Sequence, residues 1–263
     1  MINHPDSLLL PKPSPMIETI STALADSKAS IHTEIDRQNY DFINGVKAQL
    51  ADLKPYSTSA LEWLMLEHYQ FSLRNTKFLA IAAEVTESFD TQAIHLELLR
   101  NLAEENNHAA IYKSALKQIN LDVDERTEFK STTVFLETIE RLSSGSPSSV
   151  LGTMFATETA AIFEHEVFKD ISEEVLRRRS LEAHGQHLVG FHDMHLSGVE
   201  QSHRNELGIF LEGLEFDAIV ERNADRPTID TSQVVDGAEQ AIAAMKYWWS
   251  DLIDEISLMS KKA

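Results

Sequence analysis

The chain has 263 residues, 43% of them apolar, which is enough for one sizeable core; 42 Asp+Glu against 23 Lys+Arg leave a formal charge of −19. That charge argues against nucleic acid and anionic membrane surfaces as main partners, because both need a basic patch. The absence of Cys excludes disulfide scaffolds, thiolate metal sites and a Cys nucleophile, and fits a cytoplasmic protein.

Residues 1–15 carry four of the seven prolines (Pro5, Pro11, Pro13, Pro15) and read as an extended lead-in. Met1–Asp6 lacks the basic start of a secretion signal, and no run of 18 apolar residues follows anywhere. Residues 16–263 read as a single all-α domain, since only 9 Gly occur and no stretch alternates with period two. Predicted helices span about 16–28, 30–52, 58–87, 90–119, 124–143, 147–170, 173–187, 189–213 and 231–260. Ser59 with Glu62 has the capping-box spacing, Ser146-Pro147 places a cap before a first-turn proline, and Ser172 precedes two acidic residues. Breaks are expected at Lys54-Pro55, Ser143–Ser149, Gly185–Gly190 and Asn223–Pro227. Tyr247, Trp248 and Trp249 stand in tandem, so at least one must leave a single buried stripe. The last helix is expected to pack over the domain, with a homodimer contact as the alternative.

Function is most legible where charges interrupt apolar stripes. Glu67 falls in the stripe Ala60, Leu64, Phe71, Phe78. Glu105 and His108 fall in the stripe Ile94, Leu98, Leu102, Ala109, Tyr112, Leu116. Glu158 and His165 interrupt Leu151, Phe155, Ile162, and Glu200 and His203 interrupt Leu196, Leu207, Phe210. A carboxylate on a buried face is costly unless paired, protonated or bound to a cation. Glu105-x-x-His108 and Glu200-x-x-His203 each set two donors on one helix face, and Glu67 and Glu158 can complete a shared site. This is the ligand arithmetic of a carboxylate-bridged di-iron or di-manganese centre in a helical bundle. The blander readings are a surface polar run at Glu104–Asn107, an exposed helix position for Glu67, a half-exposed helix position for His165, and exposed polar positions for His184 and His187.

Three segments, NLAEENNHAAIY at 101–112, GTMFATETAAIF at 152–163 and FHDMHLSGVEQSH at 191–203, resemble the haem-oxygenase-like di-metal oxidases. That superfamily includes the chlamydial death-domain-associating protein and the 1-undecene-forming fatty-acid decarboxylase. The similarity covers roughly residues 57–212. It implies a haem-oxygenase-like helical bundle in which Glu105, His108, Glu158, His195, Glu200 and His203 hold two iron ions, with manganese an alternative. Glu67 is the best match to a further Glu of several members. The implied activity is use of dioxygen to oxidise a small organic acid, amine or amino acid.

Two departures stand out. The family's Asp is replaced by Glu200, and His195 precedes it by five residues rather than four. Five residues of α-helix turn about 140°, so both side chains reach one ion only across a π-bulge near Ser197-Gly198. Otherwise His192 would be the ligand. A ferritin-like bundle also satisfies the order Glu67, Glu105/His108, Glu158, Glu200/His203. A metal-free interaction protein, or a cofactorless enzyme of the same fold, would need no such convergence. Tyr112, Phe155, Phe191, Phe71 and Trp63 could line an apolar pocket, and Arg74, Lys113 or Arg204 could hold a substrate carboxylate.

Overall fold

A computed structural model describes residues 30–89, 92–213 and 229–263. The Pro-rich lead-in over 1–15, the helix expected at 16–28 and the break expected at 223–227 lie outside the described residues. No strand occurs among the described residues, as the lack of period-two patterning requires.

Helix α1, Ile31–Leu50, starts where Ser30 Oγ accepts from the Thr33 N–H at 3.2 Å, and buries Ile35, Phe42, Ile43 and Val46. After the Pro55 break, α2 spans Thr58–Thr86. Its cap is Ser57, accepting from Ala60 N–H at 3.3 Å, rather than the expected Ser59. The single helix expected over 90–119 is two: α3, Gln92–Glu105, and α4, His108–Gln118. The turn falls at Asn106-Asn107, where short amide side chains favour leaving the helix. A 3₁₀ turn at Val123–Glu125 leads to α5, Lys130–Ser143.

The largest departure is α6, a single helix over Pro147–Arg179 where two were expected. Ser146 and Pro147 begin it as anticipated, with Ser146 Oγ accepting from Ser149 N–H. Ser172 does not cap a new helix; it is buried, with its hydroxyl 3.4 Å from His192 Nε2. Phe168, Ile171, Val175 and Leu176 carry one buried stripe straight through the expected boundary, and continuous packing outweighs local cap chemistry. The helix ends instead at Ser180, in the left-handed conformation (φ 55°).

Beyond it, α7 (Gln186–Met194) runs into a π-helical turn at His195–Val199 and then α8 (Glu200–Gly213). Gly190 lies inside α7 rather than at a break. Helix α9 spans Thr231–Lys262.

Helix α6 is the axis of the fold and packs on α1, α2, α5, α7, α8 and α9. Its approach to α9 is close. A Cβ on Gly152 would sit 1.9 Å from the Val234 carbonyl oxygen, and one on Gly237 would sit 2.1 Å from that of Ser149. Trp248 and Trp249 are both buried, and Tyr247, 74% exposed, is the aromatic that leaves the stripe. Thr132 accepts from Trp248 Nε1–H and Glu164 from Trp249 Nε1–H, each at 2.9 Å. No described helix is long and apolar enough to cross a membrane.

Candidate metal centre

Helices α3, α4, α6 and α8 and the π turn deliver polar side chains to one interior point. Three groups of ligand atoms lie there within 4.8 Å of one another: Glu105, His108, His195; His165, His195, Glu200; and Glu158, Glu200, His203. All are buried except His108, which is partly exposed.

Glu105 and His108 meet across the α3–α4 turn, not along one helix face. His108 Nδ1 lies 2.8 Å from Glu105 Oε1 and 3.0 Å from His195 Nε2. His195 and Glu200 are joined by the π turn, in which Gly198 takes φ 110°. That turn rotates the two residues together and brings His195 Nε2 to 3.9 Å from Glu200 Oε1. His195 Nδ1 donates to the Phe191 carbonyl at 2.8 Å, which leaves Nε2 as a lone pair aimed at the cluster.

His203 is held the same way with its nitrogens reversed. Nε2 lies 2.9 Å from Glu104 Oε2, and Nδ1 faces Glu158 Oε2 at 4.0 Å and Glu200 Oε2 at 3.9 Å. Nδ1 is buried and has no hydrogen-bond partner. An imidazole lone pair directed between two buried carboxylates is repulsive unless something positive stands among them.

The electrostatics carry the same strain. Burial, with Glu200 and Glu105 close by, pushes Glu158 well above the usual carboxylate range; Asn101, donating at 2.6 Å, opposes this. Burial acts to raise Glu105 too, but the His108 hydrogen bond and the nearby His195 hold it below its ordinary value. Burial lowers His195. His108 and His203 are raised, because their carboxylate partners outweigh burial. Three carboxylates and three imidazoles in a low-dielectric interior, with His165 beside them, form a donor set that could hold a metal ion.

Glu67 is not part of this set. Both of its oxygens are taken by Arg126, at 2.6 and 2.7 Å, and Thr132 donates to the same carboxylate at 2.6 Å. Its position in the apolar stripe is real, since it is fully buried, but its charge is balanced by an ion pair. His192 is also buried outside the groups, with Nδ1 3.1 Å from His165 Nδ1. His165 is not half-exposed as expected. It is buried and stacks on His195 with ring centroids 3.8 Å apart. Its two-turn spacing from Glu158 and the apolar Phe163, Val167 and Phe168 around it were the available signals. Glu104 escaped notice because its neighbours Asn106 and Asn107 made the run look solvated. His184 and His187 are exposed, as expected.

The candidate carboxylate-binding cations lie elsewhere. Arg74 pairs with Glu140, Lys113 with Asp124 and Arg204 with Asp36. Trp63 packs on Phe129, and Tyr112 stacks on Phe191 at 4.5 Å. Phe71 does line the small cavity beside the cluster.

No family model and no curated protein sequence matches the chain. Solved structures do. A CADD-like protein of unknown function from Nostoc punctiforme superposes with TM-score 0.64 at 18% identity, over 84% of this chain and 98% of that one. A domain of unknown function with a haem oxygenase-like fold from Shewanella denitrificans gives 0.63 at 17%, over 88% and 95%. A TenA homologue from Pseudomonas syringae gives 0.60 at 13%, over 84% and 93%. The protein therefore has the haem-oxygenase-like fold, and the ferritin-like alternative is set aside.

Proposed function

We propose that the protein is a non-haem di-metal oxidoreductase, with two iron ions held by Glu105, His108, Glu158, His195, Glu200 and His203. The observation that carries this reading is the buried, unpartnered Nδ1 of His203 facing Glu158 and Glu200, in a cluster that also brings His195 Nε2 to 3.0 Å from His108 Nδ1 and 3.9 Å from Glu200 Oε1. Carboxylate and imidazole donors without thiolate suit iron, or manganese, better than a structural zinc site. His165 stands close enough to His195 and Glu200 to add a fourth imidazole.

When bound, the two irons would supply the redox chemistry by which dioxygen oxidises a small organic acid, amine or amino acid. This chain's own residues do the rest. Glu105, Glu158 and Glu200 offset cation charge. Phe191 and Glu104 fix the tautomers of His195 and His203. Phe71 and Ala161 give the cavity the apolar part of its wall, and Tyr112 and Phe191, both buried, pack behind His68, His165 and His195.

The test is anaerobic reconstitution with Fe(II) followed by elemental analysis. About two metals per chain are expected, with loading cut sharply in His108→Ala; zero metal in the wild-type protein would end this reading.

A further inference from the structure

Two buried groups in the cavity beside the cluster have no role among the metal ligands. Glu164 on α6 is 3% exposed and His68 on α2 is 1% exposed. Glu164 Oε1 accepts from Trp249 Nε1–H at 2.9 Å. Its Oε2 has no hydrogen-bond partner among the described residues and faces His68 Nε2 at 3.8 Å. That separation is too long for a hydrogen bond.

The tautomer of His68 follows from its other side. Its Nδ1 lies 3.3 Å from the Tyr112 hydroxyl, which itself donates to the Met65 carbonyl at 3.4 Å. The hydroxyl therefore accepts from His68 Nδ1–H, and Nε2 is left as a lone pair. Burial also holds His68 well below its ordinary pKa, so the ring is neutral. Burial pushes Glu164 up to about 7, and with that carboxyl ionised two acceptors face each other across a gap with no donor between them.

The cavity that contains this gap is small, about 30 Å³, and shares its walls with Glu105, Glu158, His195 and Glu200. It holds roughly two water-sized groups. Its lining includes four carboxylates and three imidazoles but no Lys or Arg. An organic acid entering it meets no fixed protein cation, whereas an amine meets a buried carboxylate and an imidazole lone pair.

We propose that Glu164 and His68 form an ammonium subsite, which holds the amine of a small primary amine substrate beside the Glu105, His195 and Glu200 ligands. The ammonium donates one N–H to Glu164 Oε2 and another to His68 Nε2. This narrows the substrate class to amines and, for the oxidation itself, rests on the di-metal reading.

Binding is tested without turnover. Methylammonium, methanol and formate are titrated by ligand-observed NMR into chelator-treated and Zn(II)-loaded wild-type protein and into Glu164→Gln. The variant keeps a carbonyl oxygen for Trp249 and removes the charge. Methylammonium is expected to bind both wild-type forms at least about tenfold more tightly than methanol or formate, and about tenfold more weakly to Glu164→Gln, whose iron count stays at the wild-type value. Equal binding of formate or methanol, no binding of methylammonium, or an unchanged affinity in the variant would overturn the subsite. Should Glu164→Gln not fold, the wild-type preference among the three probes decides alone. Amine binding in a protein that takes up no iron would sink the oxidase reading and leave the subsite standing; two irons without amine preference would do the reverse.

Discussion

His195 Nε2 and Glu200 Oε1 lie 3.9 Å apart across a π turn, although five residues of α-helix would point them about 140° from each other. The turn depends on Gly198, whose φ of 110° is open to glycine and strained for any other residue. A Cβ there would meet nothing within 4 Å, so the penalty for a side chain is conformational, not steric. Gly198→Ala is therefore expected to cost about 1–2 kcal/mol in stability, or to shift the turn back towards α-helix and part His195 from Glu200. Thermal denaturation with and without Fe(II) reads both: the metal-induced stabilisation should shrink in the variant. An unchanged metal-dependent shift would mean the turn is not what joins the two ligands.

Glu67, fully buried, and Arg126, partly buried, form a bidentate pair outside the Glu/His cluster. Removing one partner strands the other charge, so Glu67→Ala should lose about 3–5 kcal/mol in denaturant unfolding. Folded Glu67→Gln should still take up the wild-type number of irons. Loss of one iron from that variant would return Glu67 to the ligand set.

Glu104 acts on the centre through His203, to whose Nε2 it lies at 2.9 Å. It touches no proposed ion. Glu104→Ala is expected to weaken metal affinity roughly 10–100-fold while leaving the saturating metal count unchanged. Competition with a calibrated chelator measures the first and elemental analysis the second. A lowered count would make Glu104 a ligand.

Burial lowers His192 to about 3 and holds His68 and His165 well below the usual histidine value. The unfolded chain binds these protons near pH 6.5 and the folded chain does not. The stability contributed by keeping them neutral is thus fully present above pH 6.5 and lost as pH falls towards 3. Each such histidine steepens the loss by up to about 1.4 kcal/mol per pH unit. Urea unfolding of metal-free protein between pH 7.5 and 5 should show midpoints falling on acidification, with a shallower slope in His192→Gln. A flat profile would show that the three rings are solvated in solution.

The all-helical class and most of the residues that converge on the buried Glu/His cluster were legible in the sequence, because period-3.6 stripes and charges breaking those stripes are local, one-dimensional signals. The five-residue spacing from His195 to Glu200 left two readings, a π-bulge near Ser197-Gly198 or His192 in place of His195, and the π turn at His195–Val199 selects the first. Which buried charges pair with each other and which converge was settled by the folded packing. Glu67 and Glu158 look alike along the chain, yet Arg126 reaches the first and Glu105 and Glu200 crowd the second. The same holds for Ser172, an apparent cap absorbed into α6 by the core on either side, and for Glu164 and His68, whose facing lone pairs come from helices 96 positions apart. Burial and pairing depend on what the rest of the chain brings near, and no spacing within one helix encodes that.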